Sequence, residues 1–202
     1  MCPCTKVTRR IECPMDSTKP MAAKITHTLE MTSASDLLPK IANIHDVRID
    51  KLEPPCPEFN SFLHTMVGFD YRWGGRVNWG QKEWCAYANR EELETWVAYI
   101  KGTPAGYFEF VKHATGDVQI ECFGLLPQFV GKGLGGMLLT RAVQRAWEVA
   151  TGKVFLRTCS YDHPHALKNY KARGFRIAKT EHGPPISPIN SFWELVETCR
   201  PS

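Results

Sequence analysis

The sequence predicts an α/β (α+β) fold, a mixed and mostly antiparallel central sheet flanked by helices. Three observations lead there. Residues 95–126 read as three successive strands, "TWVAYI", "AGYFEFVK" and "VQIECFGLL", separated by the turn signals "KGTP" and "HATGD". A glycine-rich loop then runs into "LGGMLLTRAVQRAWEVA", where Met137, Leu138, Val143 and Trp147, with Ala142 and Ala146, share one helical side before Gly152 stops the run. After it the pattern returns to strand, helix and strand: "KVFLRTCS", then "PHALKNYKARG" with Pro164 at its start and Gly174 at its end, then "FRIAKTE".

The remaining elements fit around these. Ile25, Leu29 and Met31 in "ITHTLEMT" alternate loosely as a first strand, and Ser35 or Asp36 offers a cap for a helix at "SDLL". "EPPCP" breaks the chain before "PEFNSFLHTMV", where Phe59, Phe62, Leu63 and Met66 recur at i, i+3, i+4 and i+7, a helix with Pro57 in its first turn. Residues 68–90 are rich in aromatics and glycine, as a loop with a short helix would be, and "SFWELVE" near the end is expected to close the sheet. Residues 1–22 form a polar segment expected to be a disordered tail, leaving one domain over 23–202.

Composition narrows the class. With 202 residues, 43% hydrophobic and 23% charged, the chain has the makings of one globular core. The net charge of +4, from 25 basic and 21 acidic residues, is scattered, with no basic block to follow a nucleic-acid backbone, so no nucleic-acid partner is expected. No apolar run approaches the roughly 18 residues of a spanning helix, so no membrane partner is expected either. The N-terminal segment lacks a secretory h-region, and a cytoplasmic location is the expectation. Of eight cysteines, those at 56, 85, 122, 159 and 199 stand singly, as buried thiols do. Cys2, Cys4 and Cys13, even with His27 as a fourth ligand, lack C-x₂₋₄-C spacing, and no metal is expected.

The loop "LLPQFVGKGLGGM" carries the chemistry. Gly131, Gly133 and Gly136 satisfy G-x-G-x-x-G, yet the loop follows three hairpin strands instead of opening a first βαβ unit, and no acid ends "KVFLRTC" to hold a ribose. A P-loop is excluded because Lys132 precedes Gly133 and not Ser or Thr. What remains is physical: glycines running into a helix expose unpaired N–H groups at the positive end of the helix dipole, a cradle for a pyrophosphate.

Gln128-Phe-Val-Gly131-Lys-Gly133 resembles the Q/R-x-x-G-x-G/A signature of the GNAT acetyltransferase superfamily, and "HPHALKNYKARGF" is similar to that family's N-x-x-A-x-x-x-Y-x-x-x-G-F segment, with Ala166, Tyr170, Gly174 and Phe175 in register. The resemblance covers the chain from residue 25 onward and departs at His163, where the family often has Asn. An imidazole can donate a similar hydrogen bond. It implies a GNAT fold whose fourth and fifth strands splay apart to admit acetyl-CoA. The implied cofactor contacts are Phe123, Leu125 and Leu126 through the main chain, then Gln128, Val130, Gly131, Lys132, Gly133, Leu134, Gly135 and Gly136 around the pyrophosphate, with His163 beside them. It further implies direct attack of an acceptor amine on the thioester, with Tyr170 protonating the departing thiolate, and dimers, common in the superfamily, make a homodimer an expectation.

For the base, the residues themselves speak. If the hairpin turns about Thr115, Glu109 and Glu121 fall opposite each other on one face, an arrangement that costs energy. It suits a site in which one carboxyl takes the amine's proton and the other draws in the cation. Phe69, Tyr71, Trp73, Trp79 and Trp84 crowd the segment that would cover the acceptor, with "HGPPISPIN" facing it. Two functions follow: an acetyl-CoA-dependent N-acetyltransferase, a transferase of the acyltransferase class acting on a small-molecule primary amine, or a non-catalytic acyl-CoA-binding module of the same fold.

Overall fold

The computed structural model describes residues 23–41 and 46–186. Among these, seven strands form one sheet: β1 (Lys24–Met31), β2 (Val47–Lys51), β3 (Leu93–Ile100), β4 (Thr103–Lys112), β5 (Val118–Leu125), β6 (Val154–Cys159) and β7 (Arg176–Gly183). Four helices accompany them: α1 (Pro57–Gly68), α2 (Gln81–Ala88), α3 (Leu134–Val149) and α4 (Ala166–Ala172). The strand order is β2-β3-β4-β5-β6-β1-β7. Every neighbouring pair is antiparallel except β5 and β6, the two strands that flank the glycine loop and α3.

The sheet buries both faces because side chains alternate along its central strands. Phe108 and Phe110 of β4 join Ile120, Leu156 and the apolar side of α3 in one cluster. Tyr107, on the opposite face of β4, joins Leu63 and Val67 of α1 and Cys122 in a second. A third cluster, Trp84, Tyr87, Leu93 and Val111, extends that face under α2.

Three details differ from what the sequence predicts. First, β2 is an additional edge strand, five residues long, three of them charged, whose alternation rests on Val47 and Ile49 alone, too short a pattern to announce a strand. Second, the expected helix after β1 is a single 3₁₀ turn, Ala34–Asp36. Its cap is Ser33, whose hydroxyl accepts from the Ser35 N–H while Asp36 accepts from the Ser33 N–H. Third, α1 keeps the i, i+3, i+4, i+7 period but turns a different stripe inward: Asn60, Leu63, His64 and Val67 are buried, while Phe62 is 45% exposed and stacks on Phe59. The place of β1, which the sequence leaves open, is between β6 and β7. The strand expected at 191–197 and the tail expected at 1–22 lie outside the described residues.

The β4–β5 hairpin holds the register centred on Thr115 for Lys112↔Val118, Val111↔Gln119 and Phe110↔Ile120. A β-bulge then intervenes. Glu109 faces Cys122 and not Glu121, which is the inserted residue.

Candidate functional site

β5 and β6 pair only from Val118↔Val154 to Ile120↔Leu156, after which both strands continue without each other. The opening encloses about 340 Å³ and runs from Glu121 and Trp73 to the start of α3. Its β5 wall is backbone. Leu126 donates its N–H to Ala105 O, which puts Leu126, Gly124 and Cys122 in hydrogen-bonded pairs with β4 and turns the N–H and C=O of Phe123 and Leu125 toward the opening. Two main-chain residues there have no strand to bond, an arrangement that a ligand amide satisfies.

At the end of that wall, Gly131 (φ +79°) and Gly133 (φ +82°) both take the left-handed conformation, and Gly133 caps α3. A side chain at either would meet open space, so the glycines serve the backbone path and leave the helix's first N–H groups uncovered. Gly136 has a different reason: a Cβ there would press on Arg173 Nη1 and Lys40 Cδ, which pass close over the helix. Val130, Gly131, Gly133, Gly135 and Gly136 line the opening, with Lys40 and Arg157 adding positive charge and His165 an imidazole.

His163 also lines it, edge-on to Tyr71 at 5.8 Å. The His163 Nδ1 accepts from the His165 N–H at 3.1 Å, leaving Nε2 to carry the proton as a donor. Burial, then the neighbouring His165, holds its pKa below the ordinary histidine value, so it is neutral at pH 7. The fit to an elongated anion with an amide arm is therefore good: a backbone edge, a bare helix N-terminus and a basic rim.

Some expected contacts are not brought there. Leu126 is 5% exposed in the second core cluster, and its N–H and C=O are both used, by Ala105 O and Phe129 N. Gln128 is exposed, Lys132 reaches back over the Phe129 ring at 5.5 Å, and the Leu134 side chain is buried. Lys132 and Leu134 can contribute main-chain groups only.

Tyr170 stands on α4 with its ring edge-on to Phe123 (6.0 Å) and Phe175 (6.4 Å), and it lines the opening. Burial, followed by the negative charge of Asp162, raises its phenol well above the ordinary tyrosine value. It is a neutral donor across the physiological range.

The two acids have different surroundings. Glu109 is fully buried: its Oε1 accepts from Asn60 Nδ2 (2.6 Å) and Thr95 Oγ1 (3.4 Å), and its Oε2 from Tyr87 OH (2.7 Å) and Arg76 Nη1 (3.3 Å). Glu121 lines the opening, pairing through Oε1 with Arg76 Nη2 (2.9 Å) and through Oε2 with Arg90 Nη2 (3.5 Å). Glu109 therefore does not reach the opening. The cation between the acids is Arg76, laid over Tyr87 at 3.9 Å with Trp79 and Trp84 around it.

Of the five aromatics, Tyr71 and Trp73 line the opening while Trp79 and Trp84 enclose Arg76. Asp162 is a site residue that no motif announced. It accepts from Trp73 Nε1 (3.1 Å), Thr158 Oγ1 (2.6 Å) and Cys159 N (2.8 Å), locking the end of β6 to the loop between α1 and α2. The described part of "HGPPISPIN" is tied to the same loop by Arg72 Nη1 donating to Ile186 O at 2.7 Å. Cys2, Cys4 and Cys13 lie outside the described residues. Among those described, no three His, Cys, Asp or Glu side chains gather as a metal site, and no helix is long and apolar enough to cross a membrane.

The profile of the acetyltransferase (GNAT) family matches residues 60–175. A mycothiol acetyltransferase from Corynebacterium aurimucosum is 38% identical over 90 residues, 42% of this chain and 28% of that protein. Among solved structures, a GCN5-related N-acetyltransferase from Kribbella flavida superposes with TM-score 0.57 at 17% identity, over 83% of this chain and 61% of its own. A Bacillus subtilis acetyltransferase in complex with CoA gives 0.51 at 21% identity, over 66% of this chain and 78% of its own. The chain thus spans about a quarter of the curated relative and under two thirds of the Kribbella structure. The architecture is the α/β fold of these neighbours, a mixed sheet left open where β5 and β6 part.

Proposed function

Because the chain belongs to the GNAT acetyltransferase family, we propose that it is an acetyl-CoA-dependent N-acetyltransferase whose acceptor is a primary amine on a small molecule. The observation that carries this reading is the free backbone of Phe123 and Leu125 leading straight to the glycine-lined start of α3. Bound there, acetyl-CoA supplies an activated acetyl thioester. Phe123 and Leu125 would hold the pantetheine amides through their main chain, and the N–H groups from Gly131 to Gly136 would take the pyrophosphate at the dipole's positive end. His163 donates through Nε2. Tyr170, protonated at neutral pH, would hold its hydroxyl proton toward the thioester sulfur and give it to the thiolate as that leaves.

On the acceptor side, Glu121 is the acid that faces the opening, and it removes the amine's proton before attack, directly or through water. Tyr71 and Trp73 wall the amine's approach, which suits a small acceptor better than a folded protein surface. Tyr170 and Glu121 facing one opening favours an enzyme over a module that only binds acyl-CoA.

The test is release of free CoA from acetyl-CoA across a panel of small primary amines, with calorimetric titration of acetyl-CoA alongside. Amine-dependent release supports the enzyme. Tight binding without release by any amine supports the binding module, and absence of binding overturns both.

A further inference from the structure

The buried ionic cluster behind Glu121 has more partners than a packing device needs. Glu109, 0% exposed, receives four donors from four separate elements: Asn60 of α1, Arg76 of the turn before α2, Tyr87 of α2 and Thr95 of β3. Arg76, 10% exposed, divides its two terminal nitrogens between Glu109 (3.3 Å) and Glu121 (2.9 Å). Tyr87 does the same with its hydroxyl, 2.7 Å from Glu109 and 3.2 Å from Glu121.

We propose that Arg76 is the positioning residue for Glu121, an internal cation anchored by Glu109, which aims the Glu121 carboxylate into the opening. This deepens the reading of Glu121 as the group that meets the amine. Three features of the geometry argue for it. A guanidinium is a rigid planar fork, so holding one nitrogen on a fully buried carboxylate fixes where the other nitrogen lies. Three rings, Tyr87, Trp79 and Trp84, surround the guanidinium and deny it other positions. The β-bulge sets Glu121 apart from the β4–β5 pairing, which leaves its direction to be settled by side-chain partners.

The charges facing Glu121 come from every packed element: Arg76, Arg90 after α2, Tyr87 of α2, Glu109 of β4 and Cys122 beside it on β5, with neutral His64 of α1 behind Arg76. Burial works against the Arg76 charge, and the acidic groups around it (Cys122, Tyr87, Glu109, Glu121) outweigh burial and raise its pKa above ordinary arginine. Arg76 is a permanent cation. The assembled cluster, two carboxylates with two guanidiniums, is close to neutral, so the opening draws its acceptor by shape and by one aimed carboxylate instead of by a surplus of negative charge.

The test is a carbon-13 NMR titration of the glutamate carboxyl groups, the Glu121 signal being the one lost in Glu121→Gln. Removing Arg76 alone would strand the Glu109 charge, so the variant is Arg76→Gln with Glu109→Gln, which removes one charge of each sign. The expected result is a Glu121 titration midpoint about one pH unit or more higher than in the single variant Glu109→Gln, which differs from it only by the guanidinium, with acetyl-CoA affinity within about twofold by calorimetry. Arg76→Lys, which keeps the charge and loses the fork, is the second variant, and its expected shift is in the same direction and smaller. A midpoint unmoved in either folded variant overturns the proposal. Because the titration needs no turnover, a wild type that acetylates no amine would defeat the proposed function and leave this result to stand on its own.

Discussion

Tyr170→Phe separates catalysis from packing more cleanly than any other change in the site. The ring packs between Phe123 and Phe175, and phenylalanine keeps both contacts. No hydrogen bond from its hydroxyl to the described residues is seen, while the residue lines the opening at 7% exposure. Removing the hydroxyl strands no partner among the described residues, so stability should stay within about 0.5 kcal/mol. Loss of the donor to a departing thiolate should lower kcat by about 10²-fold, equivalent to about 2.7 kcal/mol of barrier, with the affinity for acetyl-CoA little changed. Because burial and Asp162 raise the phenol's pKa, its proton stays on up to and beyond pH 10, and no basic limb below that pH should vanish in the variant. The assays are CoA release, calorimetry and a thermal melt on one preparation. Full turnover would return Tyr170 to a packing role, and a melt lowered in step with the rate would show that the ring, not the hydroxyl, had been disturbed.

Three further outcomes are expected. Gly133→Val places a β-branched residue at φ +82°, a strain of about 1–2 kcal/mol, and sets its side chain in the open space before the helix N–H groups; acetyl-CoA should bind at least tenfold more weakly, about 1.4 kcal/mol, and unchanged calorimetric affinity in a folded variant defeats the cradle. Glu121→Gln should lower kcat/KM for the amine and remove or shift the acidic limb of its pH profile, whereas an unaltered limb would place the base elsewhere. His64 is held neutral by burial and then by Arg76, its pKa lowered to about 3; the unfolded chain takes a proton below about pH 6.5 and the folded one does not, so stability should fall by about 1.4 kcal/mol per pH unit from there down to about pH 3. Denaturant melts of His64→Leu should lack that slope, and an identical slope would assign the acid sensitivity to other groups.

The parts of this molecule legible in the sequence are those set by local pattern. The strands from 93 to 125 announce themselves by β-branched and aromatic runs between glycine turns, and α3 by its stripe. The glycine loop follows from spacing, and Tyr170 from the resemblance to the family's motif. Partner choice is where legibility ends. In α1, Phe59-Phe62-Leu63-Met66 and Asn60-Leu63-His64-Val67 have the same period, and hydrophobicity favours the first. The second is the buried one because Glu109, 49 residues away, takes Asn60, and Trp73 and Trp84 take His64. Arg76 was hidden in the same way, since "GGR" has no period and its carboxylates arrive from two strands that come later in the chain.

A single inserted residue decides both halves of the opening. Upstream of the bulge, His113 N–H bonds Asp117 O, and counting outward by twos in that register would make Glu109/Glu121, Tyr107/Phe123 and Ala105/Leu125 the hydrogen-bonded pairs. Phe123 and Leu125 would then spend their backbone groups on β4, and Glu121 would lie opposite Glu109 with like charges in contact range. With Glu121 inserted, the bonded pairs become Glu109/Cys122, Tyr107/Gly124 and Ala105/Leu126, as the Leu126 N–H on Ala105 O demonstrates. The backbone of Phe123 and Leu125 is released toward β6, where no strand meets it. At the same step the two carboxylates move out of direct opposition, and a guanidinium bridges them. The backbone edge on the cofactor side and the carboxylate on the acceptor side are thus two consequences of one register shift. A variant that deleted Glu121 outright would lose both, whereas Glu121→Gln, which keeps the inserted residue, would lose only the carboxylate.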